Sequence, residues 1–180
     1  MAGNMGRHQA GILADIGIRA LHQAGALKTA RDFDSDQIQP ASLDLRLGTK
    51  AYRVRASFMP GPGTPVMDKL QRLKLHEIDL SEGAVLETGC VYIVPLLVSL
   101  SLPPEVSASA NPKSSTGRHD IFTRVIVDGA QEFDKVPAGY QGPLYLEVSP
   151  RTFPIVARAG SRLSQIRFRR GDTTLDAEAL

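Results

Sequence analysis

The 180-residue chain contains no tryptophan and a single cysteine, Cys90. One thiol excludes a disulfide framework and any multi-cysteine zinc centre built within one chain. Aromatic residues make up only 6 % of the sequence, and the aromatic platforms of RNA-binding sheets are absent. An excess of one charge is missing as well: 21 Lys and Arg face 19 Asp and Glu, a net charge of +2 that argues against a dedicated nucleic-acid partner. The longest apolar run, VYIVPLLVSLSL, is broken by Pro95 and two serines and is too short to span a bilayer. The first residues, MAGNMGRHQAG, lack the apolar stretch of a secretory signal, so a reducing, cytoplasmic setting is expected.

What the sequence does hold is an ordinary globular composition, 42 % hydrophobic and 22 % charged, at a length suited to one domain over residues 1–180. Sixteen glycines and twelve prolines fall between short apolar segments, the pattern of many strands joined by turns. Asp15 is placed to cap a short helix burying Ile18 and Leu21, with Gly25 ending it. SLDLRLG alternates strictly, which predicts a half-buried strand with Leu43, Leu45 and Leu47 inward and Ser42, Asp44 and Arg46 outward. AYRVR repeats the pattern with Tyr52 and Val54 inward, and a Pro/Gly loop, SFMPGPGTPVMD, follows. DKLQRLKLHEI reads as a short helix and CVYIVPLLVSL as a central strand or tight hairpin. With DIFTRVIV, GPLYLEV, FPIVAR and RLSQIRFR, roughly eight to ten strands and little helix predict a mainly β barrel or jelly roll. The closing GDTTLDAEAL resembles a helix that has just begun, so the chain is expected to continue.

Two segments carry chemistry. NPKSSTGRHD concentrates Lys113, Ser114, Ser115, Thr116, Gly117 and Arg118 after an Asn-Pro turn, a density of donors suited to a phosphate chain. Spacing alone reads equally well as a surface turn with two solvated cations. In GPLYLEV, Tyr145, Glu147 and Ser149 share one strand face. On an open sheet Glu147 is a solvated residue, whereas enclosure by another subunit would raise its pKa and make it a proton shuttle near neutral pH. Other constellations fail. HEIDL lacks the second histidine of a zinc protease, one cysteine cannot supply the Pro-Cys-x-x-Cys of zinc nucleobase deaminases, and the four histidines show no ligand spacing. His119 reads as a turn residue, and the arginines 162, 167, 169 and 170 as a charged outer strand face.

In order, QIQPASLDLRLG, LPPEV, NPKSSTGRHDIFTRVI, AGYQGPLYLEV and AGSRLSQIRF resemble the motifs of the dCTP deaminase/dUTPase superfamily from about Ile12 to Phe168. The SSTGR form and the DIFTRVI run are most similar to the N-terminal half of tandem bacterial dCTP deaminases. The resemblance implies a dUTPase-like distorted jelly-roll β-barrel with a short N-terminal helix, usually a homotrimer with sites between subunits. It implies zinc-independent deamination of dCTP to dUTP and ammonia, with Mg²⁺ bound through the nucleotide phosphates. Lys113, Ser114, Ser115 and Arg118 would face the triphosphate, with Thr116 and Gly117 shaping the turn. Tyr145 and Leu146 would read the pyrimidine through their backbone, and Glu147 would be the general base supported by Ser114 and Arg118.

The chain departs from the family pattern in two places. Lys113 stands where an arginine fork is common. The sugar-reading aspartate falls in a lengthened VDGAQEFDKVPAGYQG, where Asp128 and Asp134 both qualify and Asp134 is preferred. The sequence stops at Leu180, before the closing tail bearing Tyr, Lys and Gln that the resemblance implies, and that tail is expected in the continuation. Two further functions stay open: a dUTP pyrophosphatase, alone or combined with deamination, and a non-catalytic half completing a tandem assembly.

Overall fold

The structure, a computed structural model, describes residues 10–171. The chain begins with β1 (Gly11–Ile12), α1 (Asp15–Gln23), β2 (Leu27–Thr29), β3 (Ile38–Gln39), β4 (Ser42–Arg46) and β5 (Lys50–Val54). It continues through α2 (Val66–Leu73), β6 (Lys74–Asp79), β7 (Ala84–Leu86), β8 (Val91–Ser101), β9 (Val106–Pro112) and α3 (Ser114–Arg118). The rest is β10 (Ile121–Val127), β11 (Lys135–Val136), β12 (Gln141–Pro150), β13 (Ile155–Ala157) and β14 (Arg162–Arg170). One six-stranded sheet has the order β11-β9-β14-β4-β3 with β1 added to β14, and a second has β10-β12-β8-β5-β6 with β2 added to β8. A small β13-β7 pair stands apart from both. This is the mainly β, jelly-roll-like arrangement expected, with sheets that stay open instead of closing into one barrel. The helix start expected in GDTTLDAEAL lies, beyond Gly171, outside the described residues.

Local structure follows the apolar pattern closely. Ile18 and Leu21 are buried under α1 as predicted, and Gly25 turns the chain with a φ of +77°. The cap differs: Ala14 holds that position without a side-chain bond, and Asp15 lies inside the first turn, where its negative charge is favourably placed at the positive end of the helix dipole. The helix expected in DKLQRLKLHEI starts earlier, at Val66, and gives way at Lys74 to the edge strand β6. Asp128 explains the earlier start, because its Oδ1 accepts a hydrogen bond from the Val66 amide at 2.7 Å.

β8 is the central strand predicted, although it contains Pro95. The missing amide is accommodated by a register shift in β12 between Pro143 and Tyr145, opposite the proline. On the other side Gly48 donates its amide to the Pro95 carbonyl at 2.8 Å. A Cβ at position 48 would lie 2.6 Å from that oxygen, so only glycine permits the approach.

The alternation in β4 conceals something. Leu43, Leu45 and Leu47 are fully buried as expected, but Ser42, Asp44 and Arg46 are buried too, against the prediction of an open polar face. Residues 29–37 lie over that face. Arg46 donates to the Arg31 carbonyl at 2.5 Å and pairs with Asp34 at 3.4 Å, while Gln37 Nε2 reaches the Asp44 carbonyl at 2.9 Å. Burial is tolerated because polar partners come with it.

Two phenols report on the packing beneath β12. Burial pushes both Tyr140 and Tyr145 up to about 12, because a phenolate would lose its hydration there. The unfolded chain releases these protons near pH 10 while the folded chain retains them. Stability is therefore expected to fall as pH rises from 10 to 12, by on the order of 2–3 kcal/mol for each ring. Absorbance at 295 nm during alkaline titration checks this: the tyrosinate signal of these two should appear only near pH 12 or together with unfolding.

Candidate functional site

The SSTGR segment, read as a loop, is a single helical turn. Its start is fixed by two bonds to the β14 strand: the Lys113 amide and the Thr116 hydroxyl both donate to the Leu163 carbonyl, at 3.1 and 2.7 Å. Thr116 is consequently buried, while Ser114, Ser115, Gly117 and Arg118 remain exposed. His119 closes the turn, its Nδ1 lying 2.6 Å from the Ser115 carbonyl. Lys113, Ser114, Ser115 and Arg118 together line a cavity of about 510 Å³, with Gln39 and Asp44 also on its wall. Lys113 is not a free cation: its ammonium pairs with the buried carboxylate of Asp44, and Arg162 stands 3.6 Å from the same oxygen. The other oxygen of Asp44, Oδ1, is buried without a hydrogen-bond partner.

Glu147 lies in the middle of β12, flanked by β8 and β10, and only 1 % of it is exposed. Sequence reasoning left Glu147 solvated on an open sheet face unless another subunit enclosed it, whereas here the same chain provides the enclosure. Arg124, directly opposite on β10, donates Nε and Nη2 to Glu147 Oε1 at 3.2 and 2.8 Å. Ser57, from the segment after β5, donates its hydroxyl to Oε2 at 2.6 Å and accepts from Arg124 Nη2 at 2.7 Å. Both carboxylate oxygens are therefore held, and the charge is balanced by a guanidinium. Tyr145 and Leu146 precede Glu147 on the same strand with buried side chains.

The two candidate aspartates part company. Asp134 adopts a φ of +61° and accepts from the Val125 amide at 2.7 Å, and burial raises its carboxyl above the usual range. It faces a cavity of about 400 Å³ shared with Arg124, Thr123 and Gly117. Asp128 is engaged with α2 and borders a different cavity of about 560 Å³. Glu147 is on the wall of neither the cavity of the hydroxyl-rich turn nor the Asp134 cavity; Gly117 of the turn and Arg124, the partner of Glu147, both line the latter.

Three residues at these sites were not singled out in the sequence: Asp44, Ser57 and Arg124. Alternation in DIFTRVIV places Phe122 and Arg124 on one face, which was the available signal for Arg124. Nothing local marks Ser57. Among the described residues, no group of three or more His, Cys, Asp or Glu is arranged to hold a metal ion.

Residues 9–172 match the family model for the 2'-deoxycytidine 5'-triphosphate deaminase N-terminal domain. The chain belongs to this family. A solved 2'-deoxycytidine 5'-triphosphate deaminase from Agrobacterium tumefaciens is 74 % identical, with a TM-score of 0.89 over 94 % of this chain and 51 % of that one. The chain thus spans about half the length of that family member. A relative from Beutenbergia cavernae, named dCTP deaminase, dUMP-forming, is 30 % identical over 87 % of this chain and 78 % of its own. One from Aquifex aeolicus with the same name is 32 % identical over 89 % and 82 %. A dUTPase of Staphylococcus bacteriophage 80alpha, 12 % identical with a TM-score of 0.50, shares the deaminase domain's fold.

Proposed function

We propose that the chain catalyses hydrolytic deamination of dCTP to dUTP and ammonia, with Glu147 as general base and without zinc. The observation that carries this is the Glu147 carboxylate, 1 % exposed yet fixed in aim by Arg124 and Ser57. Deamination forms a bond from water oxygen to C4 and breaks the bond from C4 to the amine, so a proton must leave the water and reach the departing nitrogen. A carboxylate screened from bulk solvent accepts that proton and returns it. Lys113, Ser114, Ser115 and Arg118 hold the triphosphate, and Ser114 and Arg118 also support the reacting centre. Thr116 and Gly117 shape the turn, Asp134 contacts the sugar, and the Tyr145 and Leu146 backbone reads the pyrimidine.

Mg²⁺ fits as an ion carried by the phosphates, where it would neutralise their charge. Asp44, whose buried Oδ1 has no hydrogen-bond partner, is the one carboxylate lining the turn's cavity. Separation of that cavity from Glu147 within a chain supports a site completed between copies, in a homotrimer of residue 12–168 cores. Such a protein works in the cytoplasm, and among the described residues no helix is long and apolar enough to cross a membrane.

A second reading follows from the relatives named dUMP-forming: deamination coupled to loss of pyrophosphate. Incubation of the full-length protein with dCTP and Mg²⁺ tests both. Ammonia in step with dUTP is expected, and a zinc chelator should leave the rate unchanged. Ammonia with dUMP and pyrophosphate would establish the second reading, and no ammonia at all would leave the chain a structural half.

A further inference from the structure

We infer that Arg124 is a positioning residue for Glu147, with its guanidinium locked in place by two phenylalanines. The inference rests on Glu147 acting as the base. A buried carboxylate between two strands has rotational freedom about its last bond, and a proton acceptor is useful only if one oxygen is held toward the water. Arg124 removes that freedom. Two of its nitrogens converge on Oε1, and the same Nη2 donates to the Ser57 hydroxyl that occupies Oε2. The three side chains form a closed hydrogen-bonded triangle in which Oε1 is committed to the guanidinium. Oε2 faces the Ser57 hydroxyl and, in the proposed reaction, is the oxygen that accepts the proton of the attacking water.

A long arginine alone would pay entropy to hold such a fork. Here the cost is met beforehand by stacking. The guanidinium carbon of Arg124 lies 3.6 Å from the Phe133 ring centroid and 4.8 Å from that of Phe122. Arg151 covers Phe122 in turn, at 5.0 Å. The ladder Arg151–Phe122–Arg124–Phe133 fixes the guanidinium by cation–π contact while its edge remains free to donate. Lysine has neither the plane to stack nor the fork to aim.

The test compares Arg124→Ala, Arg124→Lys and Glu147→Gln in the full-length protein, measured by ammonia release from dCTP. For Arg124→Ala, kcat should fall roughly tenfold to a hundredfold with KM within a few fold, because aim matters in the transition state and not in substrate binding. Added guanidinium chloride should restore part of that kcat, which a purely structural defect would not allow. Arg124→Lys keeps the charge and guards against failure to fold; its kcat should fall several-fold without rescue. Arg124→Ala retaining kcat within twofold, or losing only KM, while Glu147→Gln is inactive, would overturn the inference and leave the base standing. An active Glu147→Gln would instead remove the base assignment itself.

Discussion

Glu147→Gln is expected to lower dCTP turnover by roughly 10²–10⁴-fold, the range a positioned general base supplies. Glutamine preserves the volume of the side chain and an oxygen for the Arg124 fork. It withdraws the negative charge and the ability to take a proton. Loss of function should therefore appear in kcat, with KM for dCTP changed only a few fold. The fold should survive, because Arg124 keeps its stack on Phe133 and its bond to Ser57. Ammonia release under saturating dCTP, with far-UV circular dichroism as the control for folding, gives the answer. Turnover within tenfold of the parent would mean that another group moves the proton.

The features legible in the sequence are those carried by local periodicity. Leu43, Leu45 and Leu47 declare a strand, Ile18 and Leu21 one face of a helix, and the apolar run around Ile93 a central strand; each is buried as read. What stayed hidden depends on partners far away in the chain. Asp44 and Arg46 sit at positions that alternation assigns to solvent, and no local pattern says that residues 29–37 and Arg162 will cover them. Glu147 is the same case in the site: its partners lie 23 and 90 residues away, so its enclosure by its own chain could not be read without strand register. The turn at Ser114–Arg118 was missed as helix because its five residues, rich in hydroxyls and glycine, have weak helix propensity. Two bonds to Leu163 fix its start instead.

Those hidden partners lead to the largest stability loss expected of a single substitution, at Asp44. Its carboxylate is buried, accepts from Lys113 and lies 3.6 Å from Arg162. Removing one member of a buried pair strands the opposite charge, commonly at a cost of about 3–5 kcal/mol. Here the stranded cations have escapes. Lys113 is 27 % exposed and Arg162 is 19 % exposed, and Arg162 keeps Asp34 and Asp36 at 2.6 and 2.9 Å. Asp44→Ala is therefore expected to cost about 2–3 kcal/mol, a midpoint shift of roughly 5–10 °C for a chain of this size. Urea unfolding of Asp44→Ala, Lys113→Met and the double variant separates the pair from its surroundings. If the pair is coupled, the double variant loses clearly less than the two single losses combined. Simple additivity would mean that Asp44 is held by its bed in β4 and that Lys113 is free to turn toward an anion.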